Sequence, residues 1–356
     1  MATFSFFRTA FAAGWLLSSA AQAAPIQFTD MLGNTVQLAG PSQRAVTLPM
    51  PAASLLISLD GGPQHLAGMH PNAYGVMKGG LLAGLFPATA HIRTDITRSG
   101  FAPNIETLLQ IQPDLVWQWG HMGQDLIDPL RNAGLPTAAL LYGDESQTRE
   151  WIRLIGQSLG QQDRAQAQLR WREQVRADIS AVVRHIPPQQ RPGVLYLARL
   201  EPQLRASGGA SSFADDIALA GGRNVAHTLG NGQTVNIEQI MVWAPDVILL
   251  NNFEPSLTPD TLYNDPLFAD IPAVRARRVY KVPLGGYPWD PPSQESPLYW
   301  QWLSLLLHPD HFHWPLREHM SHAYRTLYGH TSDQTQLDVI LHLKQNQHSA
   351  SYERFH

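Results

Sequence analysis

The stretch NIETLLQIQPDLV, residues 104–116, recurs 132 residues later as NIEQIMVWAPDVI, residues 236–248. Each copy predicts a helix followed by a Pro-Asp turn into a buried strand. Coincidence between two common helix-to-strand turns is the alternative, but six matched or conservatively matched positions at one spacing argue against it. A repeat at this offset predicts two lobes of like topology, related by a pseudo-twofold axis. It also puts Glu106 and Glu238 at the same place, one on each lobe.

Length and composition limit the class of protein. The chain has 356 residues, of which 44% are apolar and 15% charged, and a net charge of -4. This length is typical of two domains, and the composition excludes a disordered chain or a coiled coil. The slightly negative balance disfavours nucleic-acid binding, which uses a basic face. Because there is no cysteine, disulfides, thiolate metal sites, cysteine nucleophiles and a lipid-modified N-terminal cysteine are excluded.

The first 23 residues have the features of a cleaved signal peptide. Arg8 is the only charge before Asp30, residues 10–20 form a short apolar core, and residues 21–23 (AQA) give the small-x-small cleavage pattern. A membrane anchor is the alternative, but the apolar run is shorter than the roughly 20 residues that span a bilayer. The mature chain is therefore expected to be a soluble, unlipidated protein of the periplasm.

Alternating strand and helix patterns after residue 24 predict an α/β fold. Residues 163–186 carry apolar side chains at steps of three or four, which predicts one long helix with arginine and glutamine on its other face. The expected fold is two Rossmann-like lobes with central sheets, joined by this helix, with a ligand cleft between the lobes. The predicted divisions are a signal peptide (1–23), an N-terminal α/β lobe (24–160), a connecting helix (161–188), a C-terminal α/β lobe (189–335) and a C-terminal tail (336–356).

Several further segments carry a resemblance to a known family. They are residues 51–68, the string SFADDIALAGGRNVA at 212–226, the two NIE…PD elements, and residues 283–302 with LLLHP at 305–309. The chain resembles the substrate-binding proteins that serve ABC importers for iron-siderophores, haem and cobalamin, over nearly the whole mature chain. The resemblance implies two lobes joined by one rigid helix, a ligand held between them and modest closure on binding. This chain departs from the family at Ala53-Ser54, where members commonly carry Thr-Glu, so any role of that glutamate is absent here.

The resemblance also implies a role for Glu106 and Glu238, as surface glutamates that meet arginines on the permease dimer. The alternative is an ordinary helix carboxylate exposed to water. Two matched charges would orient the binding protein over a twofold permease, which favours docking. The implied partners are a metal-chelate ligand and an ABC permease dimer with its ATPase, and the protein itself is expected to be a monomer.

Candidate ligand contacts are the residues that follow predicted strands, because ligands of α/β lobes bind outside the carboxyl ends of the strands. These loops are rich in aromatic residues and poor in acids. That composition favours a bulky chelate or a planar ligand over a naked cation, which needs a cage of carboxylates or histidines. The predicted contacts are Met50, His70, Tyr74, Trp119, His121, Tyr142, Arg199, Asn252, Tyr287 and Trp289.

Several of these residues have a structural alternative. Trp117 and Trp119 alternate on one strand, so at least one of them is expected in the core. The two loop histidines are as well suited to local hydrogen bonding as to ligand contact. Arg199 either pairs with Glu201 or anchors an anionic chelate through its guanidinium.

The segment GGYPWDPPSQE, residues 285–295, is stiffened by prolines, which suits a preformed aromatic wall. Tyr287 and Trp289 are its aromatic members, and at least one of them is predicted to contact the ligand. Asp290 and Glu295 are expected to cap the following helix.

The histidines are concentrated near the C-terminus, where nine of the 15 follow Leu307. Their spacings at 308–313 and 319–322 are compatible with metal ligands. A polar helical region with a frayed tail is the preferred interpretation, so no metal site and no resident cofactor are predicted.

The predicted function is that of a periplasmic solute-binding protein, which captures an iron-siderophore or similar metal chelate for an ABC importer. An oxyanion such as molybdate, cobalamin or haem is the alternative ligand. No nucleophile elbow, Gly-rich phosphate loop or HExxH motif is present, so the chain is not expected to be an enzyme. A chelatase-like enzyme is the alternative from another class, because related two-lobed architectures host such activities.

Overall fold

The structure is a computed structural model that describes residues 24–209, 211–230 and 232–356. The predicted signal peptide at residues 1–23 lies outside the described residues. Within the described chain, no helix combines the length and the apolar character needed to cross a bilayer.

Strands and helices alternate along the described chain, as expected for an α/β fold. The strands are β1 (Ile26–Thr29), β2 (Thr35–Leu38), β3 (Ala45–Thr47), β4 (Leu66–Met69), β5 (Leu115–Trp119), β6 (Thr137–Leu140), β7 (Gly193–Arg199), β8 (Arg205–Ala206), β9 (Arg223–Asn224), β10 (Gln233–Thr234), β11 (Val247–Leu250) and β12 (Val279–Lys281). The α-helices are α1 (Met50–Asp60), α2 (Pro71–Gly79), α3 (Leu81–Leu85), α4 (Ile105–Ile111), α5 (Asp128–Asn132), α6 (Glu145–Ser158), α7 (Gln162–Val183), α8 (Ser212–Leu219), α9 (Ile237–Trp243), α10 (Pro259–Tyr263), α11 (Pro272–Arg275), α12 (Ser296–Leu307), α13 (Leu316–Tyr328) and α14 (Gln334–Ile340).

The N-terminal lobe is built on a parallel sheet with the strand order β4-β3-β5-β6. All five residues of β5 are buried, because helices cover both faces of the sheet. Trp117 belongs to the large core on one face, whereas Val116 packs with Leu108 of α4 in a smaller core on the other. The antiparallel hairpin β1-β2 precedes this sheet.

The C-terminal lobe has a mixed sheet with the strand order β10-β8-β7-β11-β12, and β9 also pairs with β7. Strands β7, β11 and β12 are parallel, whereas β8 runs antiparallel to β7. The carboxyl ends of the parallel strands carry Arg199, Asn251 and Lys281. The prediction of two α/β lobes with central sheets is confirmed.

The repeat produces the same turn in both lobes. Gln112 and Ala244 end α4 and α9 in the left-handed conformation, with φ of 53° and 44°. The following aspartates then bind the chain that opens the neighbouring strand. Asp114 accepts hydrogen bonds from backbone N–H groups ahead of β3, and Asp246 accepts one from the N–H of Gly193 at 2.6 Å. The Pro-Asp pairs therefore give the two lobes the same arrangement of helix, turn and strand.

Helix α7 joins the lobes and has 22 residues, which corresponds to about 33 Å. Its buried face agrees with the predicted one at Val175 and Ile179 but differs at other positions. Arg172 and Gln168 are buried, whereas Trp171 and Val182 are only half-buried. The Arg172 guanidinium is satisfied in the interior by Glu145 of α6, at 2.9 and 2.5 Å, and by the Ser293 carbonyl at 2.6 Å. An apolar periodicity cannot reveal such pairing.

The C-terminal region is packed, which corrects the expectation of a frayed tail. Helix α13 packs against α12 and also against α1 of the N-terminal lobe. Beyond α14, the buried Asn346 side chain accepts the N–H of Lys281 at 2.7 Å and donates to its carbonyl at 3.0 Å. Tyr352 and Phe355 are buried too. Residues 341–356 are therefore part of the C-terminal lobe.

Candidate ligand cleft

A cavity of about 520 Å³ lies between the lobes. The N-terminal lobe contributes the start of α1 and one side of α2, and the C-terminal lobe contributes the ends of β7, β11 and β12 with the segment after α14. None of the described residues that line it carries a carboxylate. Its lining is Met50, Pro71, Asn72, Gly75, Val76, Gly79, Arg199, Asn252, Phe253, Pro255, Lys281, Leu284, His342 and Gln345.

Arg199 and Lys281 are the two cationic side chains in the lining of the cavity. The exposed Arg199 guanidinium forms no ion pair with Glu201, and no side-chain hydrogen bond from it is found within the described residues. The Lys281 ammonium is buried and donates to the carbonyls of Asn251 at 2.5 Å and Glu254 at 2.8 Å. An ammonium has three N–H groups, so one remains for another acceptor. Both cations are thus available to an anionic ligand.

Burial lowers the pKa of Lys281 to about 8, although the carboxylates of Asp290 and Glu254 act in the opposite direction. The neighbouring His342 is affected more strongly. Burial, together with the charge of Lys281, lowers the pKa of His342 to about 4. His342 Nδ1 lies 2.9 Å from the Val282 carbonyl, which assigns the ring proton to Nδ1. At neutral pH the cavity therefore has a charged lysine beside a neutral imidazole.

Asn252 is held rigidly at the carboxyl end of β11. Its Nδ2 donates to the carbonyls of Val282 and Pro283 and to Asp290, at 3.0 to 3.2 Å. The Asp290 carboxylate also accepts from the Tyr196 hydroxyl at 2.6 Å. Burial raises the pKa of Asp290. Asp290 therefore supports the floor of the cavity, and the prediction that it caps a helix is wrong.

An aromatic cluster follows β5 and β6 in the N-terminal lobe. Trp119, with 5% of its surface exposed, packs edge-on against His121, Tyr142 and Phe101, with ring centroids 5.0, 5.9 and 6.1 Å away. His121 is exposed, and its Nδ1 accepts the N–H of Tyr142 at 3.3 Å. The outer members of this cluster offer the kind of wall expected for a planar or aromatic ligand.

Tyr142 also reaches the other lobe, where its hydroxyl lies 3.3 Å from Ser212 Oγ at the start of α8. Burial raises the pKa of Tyr142 to about 12, so the phenol stays protonated. A smaller cavity of about 260 Å³ adjoins this contact, with Asp144 and Asp215 in its lining. The two carboxylates make this second cavity unlike the first.

Two predicted contacts have other roles or positions in the structure. His70 caps α2, accepting the N–H of Asn72 at Nδ1 (3.1 Å), and its Nε2 lies 3.1 Å from the Gly100 carbonyl. Tyr74 is half-buried on α2 and packs against the core, outside the lining of the cavity. His70 is therefore engaged within the N-terminal lobe, and Tyr74 does not line the cavity.

Tyr287 and Trp289 are fully buried. Trp289 donates to Glu295 at 2.8 Å, and the same carboxylate accepts from the hydroxyls of Tyr324 and Tyr328. The Tyr287 hydroxyl has no hydrogen-bond partner within the described residues. No surface of either ring faces the cavity in this structure. Glu295 therefore organises a buried cluster. It makes no side-chain cap at the start of α12, so the prediction that it caps this helix is wrong.

Glu106 and Glu238 occupy the first turns of α4 and α9 and are exposed. The repeat thus gives each lobe one unburied carboxylate at an equivalent position. Elsewhere, no group of three or more His, Asp or Glu residues in the described chain could hold a metal ion. The spaced histidines illustrate this: His308 Nε2 lies 2.9 Å from the Gly221 carbonyl.

The structure brings together only part of the predicted contact set. Met50, Arg199 and Asn252 line the cavity, and Trp119, His121 and Tyr142 form the aromatic cluster. Lys281 and His342 were not among the predicted contacts. Lys281 ends a predicted strand and is one of only three lysines, which is a signal that could have found it. His342 was not predicted because it lies in the segment expected to form the C-terminal tail.

Comparison with known proteins identifies similar sequences. A family model described as periplasmic binding protein matches residues 97–284. The molybdate-binding protein MolA of Haemophilus influenzae is 23% identical over 231 residues, which are 59% of this chain and 65% of MolA. The match therefore spans slightly less than two thirds of that relative's length.

Solved structures share the fold. A periplasmic solute binding protein from Veillonella parvula is 30% identical, covers 91% of this chain and 98% of its own, and has a TM-score of 0.83. Molybdate-bound MolA is 22% identical, with coverage of 86% and 99% and a TM-score of 0.77. CeuE from Helicobacter pylori, in a Ni-His complex, is 16% identical, with coverage of 89% and 99% and a TM-score of 0.73.

Proposed function

The chain belongs to the periplasmic binding protein family, and we propose that it captures an anionic metal chelate, such as an iron-siderophore, between its lobes for an ABC importer. The observation that carries the proposal is the inter-lobe cavity. Its volume of about 520 Å³ lies within the range of roughly 300–1,000 Å³ typical of small-molecule sites. Two cations and no carboxylate among its described lining residues favour an anion and disfavour a naked metal ion.

In this proposal, different residues contact different parts of the chelate. Arg199 and Lys281 attract the anionic groups of the chelate, and the Asn252 side chain is held in place at the floor. Met50 and Val76 contact its apolar parts. Charge-assisted hydrogen bonds contribute more than neutral ones, so the two cations set the preference for charge.

An oxyanion such as molybdate is a second candidate, favoured by the free donors of Arg199 and Lys281 and by the similarity to MolA, a molybdate-binding protein. Size argues against it, since one tetrahedral anion would fill only a small part of this cavity. Haem and cobalamin remain alternatives because of the aromatic wall. Haem or cobalamin would also bind between the two lobes.

The test is a titration of the purified protein with ferric siderophores, haem, cobalamin and molybdate, followed by tryptophan fluorescence. We expect a ferric siderophore to bind with a Kd below about 10 µM, or about 7 kcal/mol of binding free energy. Preferential binding of molybdate would replace the chelate assignment with the second candidate. Absence of binding by all four ligands would contradict the ligand class.

Arg199→Ala sharpens that test. We expect it to weaken siderophore binding about 10- to 100-fold, because a hydrogen bond to a charged group contributes about 1.5–3 kcal/mol. Arg170→Ala is the matched control, since Arg170 is exposed on α7 and does not line the cavity. Equal affinities of the two variants would exclude Arg199 from the site.

Export to the periplasm is part of the same proposal. Family membership supports it, as does the signal-like sequence of residues 1–23. N-terminal sequencing of the exported protein is expected to begin at Ala24. A protein that keeps residues 1–23 and is found in the membrane fraction would contradict the predicted cleavage.

A further inference from the structure

A further cavity, which we call the terminal pocket, lies in the C-terminal lobe apart from the cleft. Its volume of about 430 Å³ is within the range of roughly 300–1,000 Å³ typical of small-molecule sites. Among the described residues, none lines both this pocket and the inter-lobe cavity. The lining of the terminal pocket is Leu305, Pro309, Phe312, His313, Trp314, Pro315, Leu316, Arg317, Glu318, Leu341, Arg354, Phe355 and His356.

The inner part of the terminal pocket is apolar and rigid. Its buried side chains come from α12, α13 and the segments after α12 and α14, and they are Leu305, Phe312, Leu316, Leu341 and Phe355. Trp314 is half-buried beside Phe312, with ring centroids 4.7 Å apart. The Trp314 indole N–H has no hydrogen-bond partner within the described residues. A flat ring fits such a pocket, because aromatic pairs gain more than their buried area alone provides.

Arg354 is a fixed cation at the rim of the terminal pocket. Its Nε donates to the Ser351 carbonyl at 2.9 Å, and its Nη1 donates to the Leu305 carbonyl at 3.2 Å. In the described part of the chain, its Nη2 donates to no group and the guanidinium forms no ion pair. Two backbone carbonyls hold the guanidinium without neutralising its charge. Arg354 is therefore preorganised to bind a carboxylate.

The other charged residues of the rim are Arg317 and Glu318. Arg317 pairs with Asp338 and donates to the Phe355 carbonyl at 2.7 Å, so its charge is already compensated. The exposed Glu318 carboxylate has neither a hydrogen bond nor an ion pair among the residues that the structure describes. The rim thus has one unpaired cation, on Arg354, and one unpaired anion.

We propose that the terminal pocket binds a free aromatic amino acid. The carboxylate of the ligand contacts Arg354 Nη2, its ammonium contacts Glu318, and its ring packs against Trp314 over the apolar residues. A fatty acid or a hydrophobic amine would leave one rim charge without a partner, whereas a zwitterion pairs both. Because the two cavities share no described lining residue, this site is independent of the ligand carried in the cleft.

The experiment is an isothermal titration of the purified mature protein with L-phenylalanine, for which we expect a Kd below about 1 mM. Arg354→Gln and Glu318→Gln should each weaken binding about tenfold, because each removes a charge-assisted hydrogen bond. Arg325→Gln is the matched control, since Arg325 is exposed on α13 and does not line the pocket. It should bind L-phenylalanine within about twofold of the wild type.

Two analogues assign the rim charges separately. Phenylpropionate lacks the ammonium, and phenethylamine lacks the carboxylate. Arg354→Gln should weaken binding of phenylpropionate and leave phenethylamine unchanged, and Glu318→Gln should do the reverse. A purely structural role of either residue would change the affinities of both analogues together.

Folding and position are checked with further measurements. Arg354 also connects residues 351–354 to α12, so circular dichroism and a melting curve accompany each variant. Glu318 makes no side-chain hydrogen bond within the described residues, so its variant tests the site without that contact. Trp314→Phe should remove the fluorescence change on binding while keeping most of the affinity, because an aromatic ring remains.

Three outcomes would overturn the proposal. The first is absence of binding at L-phenylalanine concentrations of about 1 mM. The second is equal affinity of the Arg354→Gln and Arg325→Gln variants for L-phenylalanine. The third is displacement of bound L-phenylalanine by a ferric siderophore, which would assign the amino acid to the inter-lobe cavity. In each case the proposed function stands, since it rests on a different cavity.

Discussion

Lys281 has an unusual position for a lysine, at the buried end of β12 with two backbone carbonyls and the cavity around its ammonium. Because burial lowers the pKa of Lys281 to about 8, its charge is lost within the range of ordinary buffers. An anionic ligand favours the charged form. Affinity should therefore be full below about pH 7 and fall as the pH rises through about 8–9.

Lys281→Met should remove most of this pH dependence and lower the affinity at pH 7 about tenfold. Arginine side chains do not titrate in this pH range, so Arg199→Ala should weaken binding but keep the slope. Isothermal titrations with one ferric siderophore between pH 7 and 9.5 measure both effects. An unchanged slope in the Lys281 variant would assign the titration to another group.

Single residues also show what the sequence could reveal about the site. Arg199 and Asn252 were predicted because each follows a recognisable strand. Lys281 was missed because a lysine in a strand normally faces water, and nothing in the sequence indicates the carbonyls that hold it. Tyr287 and Trp289 were predicted as ligand contacts because prolines surround them, but they are buried through Glu295 and tyrosines from α13, far along the chain.

At the scale of elements, helix α7 depends on one buried ion pair. Arg172 is 1% exposed, binds Glu145 and the Ser293 carbonyl, and lies 5.0 Å from the centre of the Trp300 ring. Arg172→Met should lower the free energy of unfolding by about 3–5 kcal/mol, since it leaves Glu145 without its partner. The melting temperature should fall by several degrees, measured by calorimetry.

Arg153→Met is the control for this prediction. Arg153 and Glu150 form an exposed pair on α6, which should contribute less than about 1 kcal/mol. Adding Glu145→Gln to Arg172→Met should restore part of the stability, because the unpaired charge is the main penalty. Similar melting temperatures for the Arg172 and Arg153 variants would show that the buried pair is not important.

The elements were more predictable than the faces they bury. The two NIE…PD stretches form the helix, turn and strand that the sequence predicts, as α4 with β5 and α9 with β11. The buried face of α7 was predicted in part: Val175 and Ile179 are buried as expected, whereas Arg172 is buried beside the half-buried Trp171. Periodicity assumes that arginine is outside, and only the three-dimensional partners of Arg172 reverse that assumption.

At the scale of the molecule, the repeat and its two exposed glutamates carry the next prediction. If they dock on the permease, as the resemblance implies, Glu106→Lys with Glu238→Lys should abolish uptake of the ligand, since two reversed charges would oppose the basic groups of that partner. Ligand affinity should be unchanged, because neither glutamate lines the cavity. Transport assays in cells and fluorescence titrations measure the two properties separately, with Glu173→Lys as an exposed control on α7. Normal uptake would contradict the docking role.

The two lobes are also connected by more than α7, which the sequence did not indicate. The Leu81 N–H donates to the Gly285 carbonyl at 2.8 Å, and α13 contacts α1 across the lobes. Arg164 of α7 donates to the carbonyls of Ser58 and Leu327, at 2.8 and 3.1 Å. These contacts favour modest closure. They come from residues far apart in sequence, whereas the repeat that predicted the lobes is local.

The contact between Asn346 and Lys281 has a consequence for the behaviour of the protein in solution. Strand β12 is the last in its sheet, and its outer backbone groups would otherwise be open to pairing with a strand of another molecule. The Asn346 amide occupies the N–H and carbonyl of Lys281 as an additional strand would. Removal of residues 346–356 would uncover this rim, so a truncated chain is expected to aggregate.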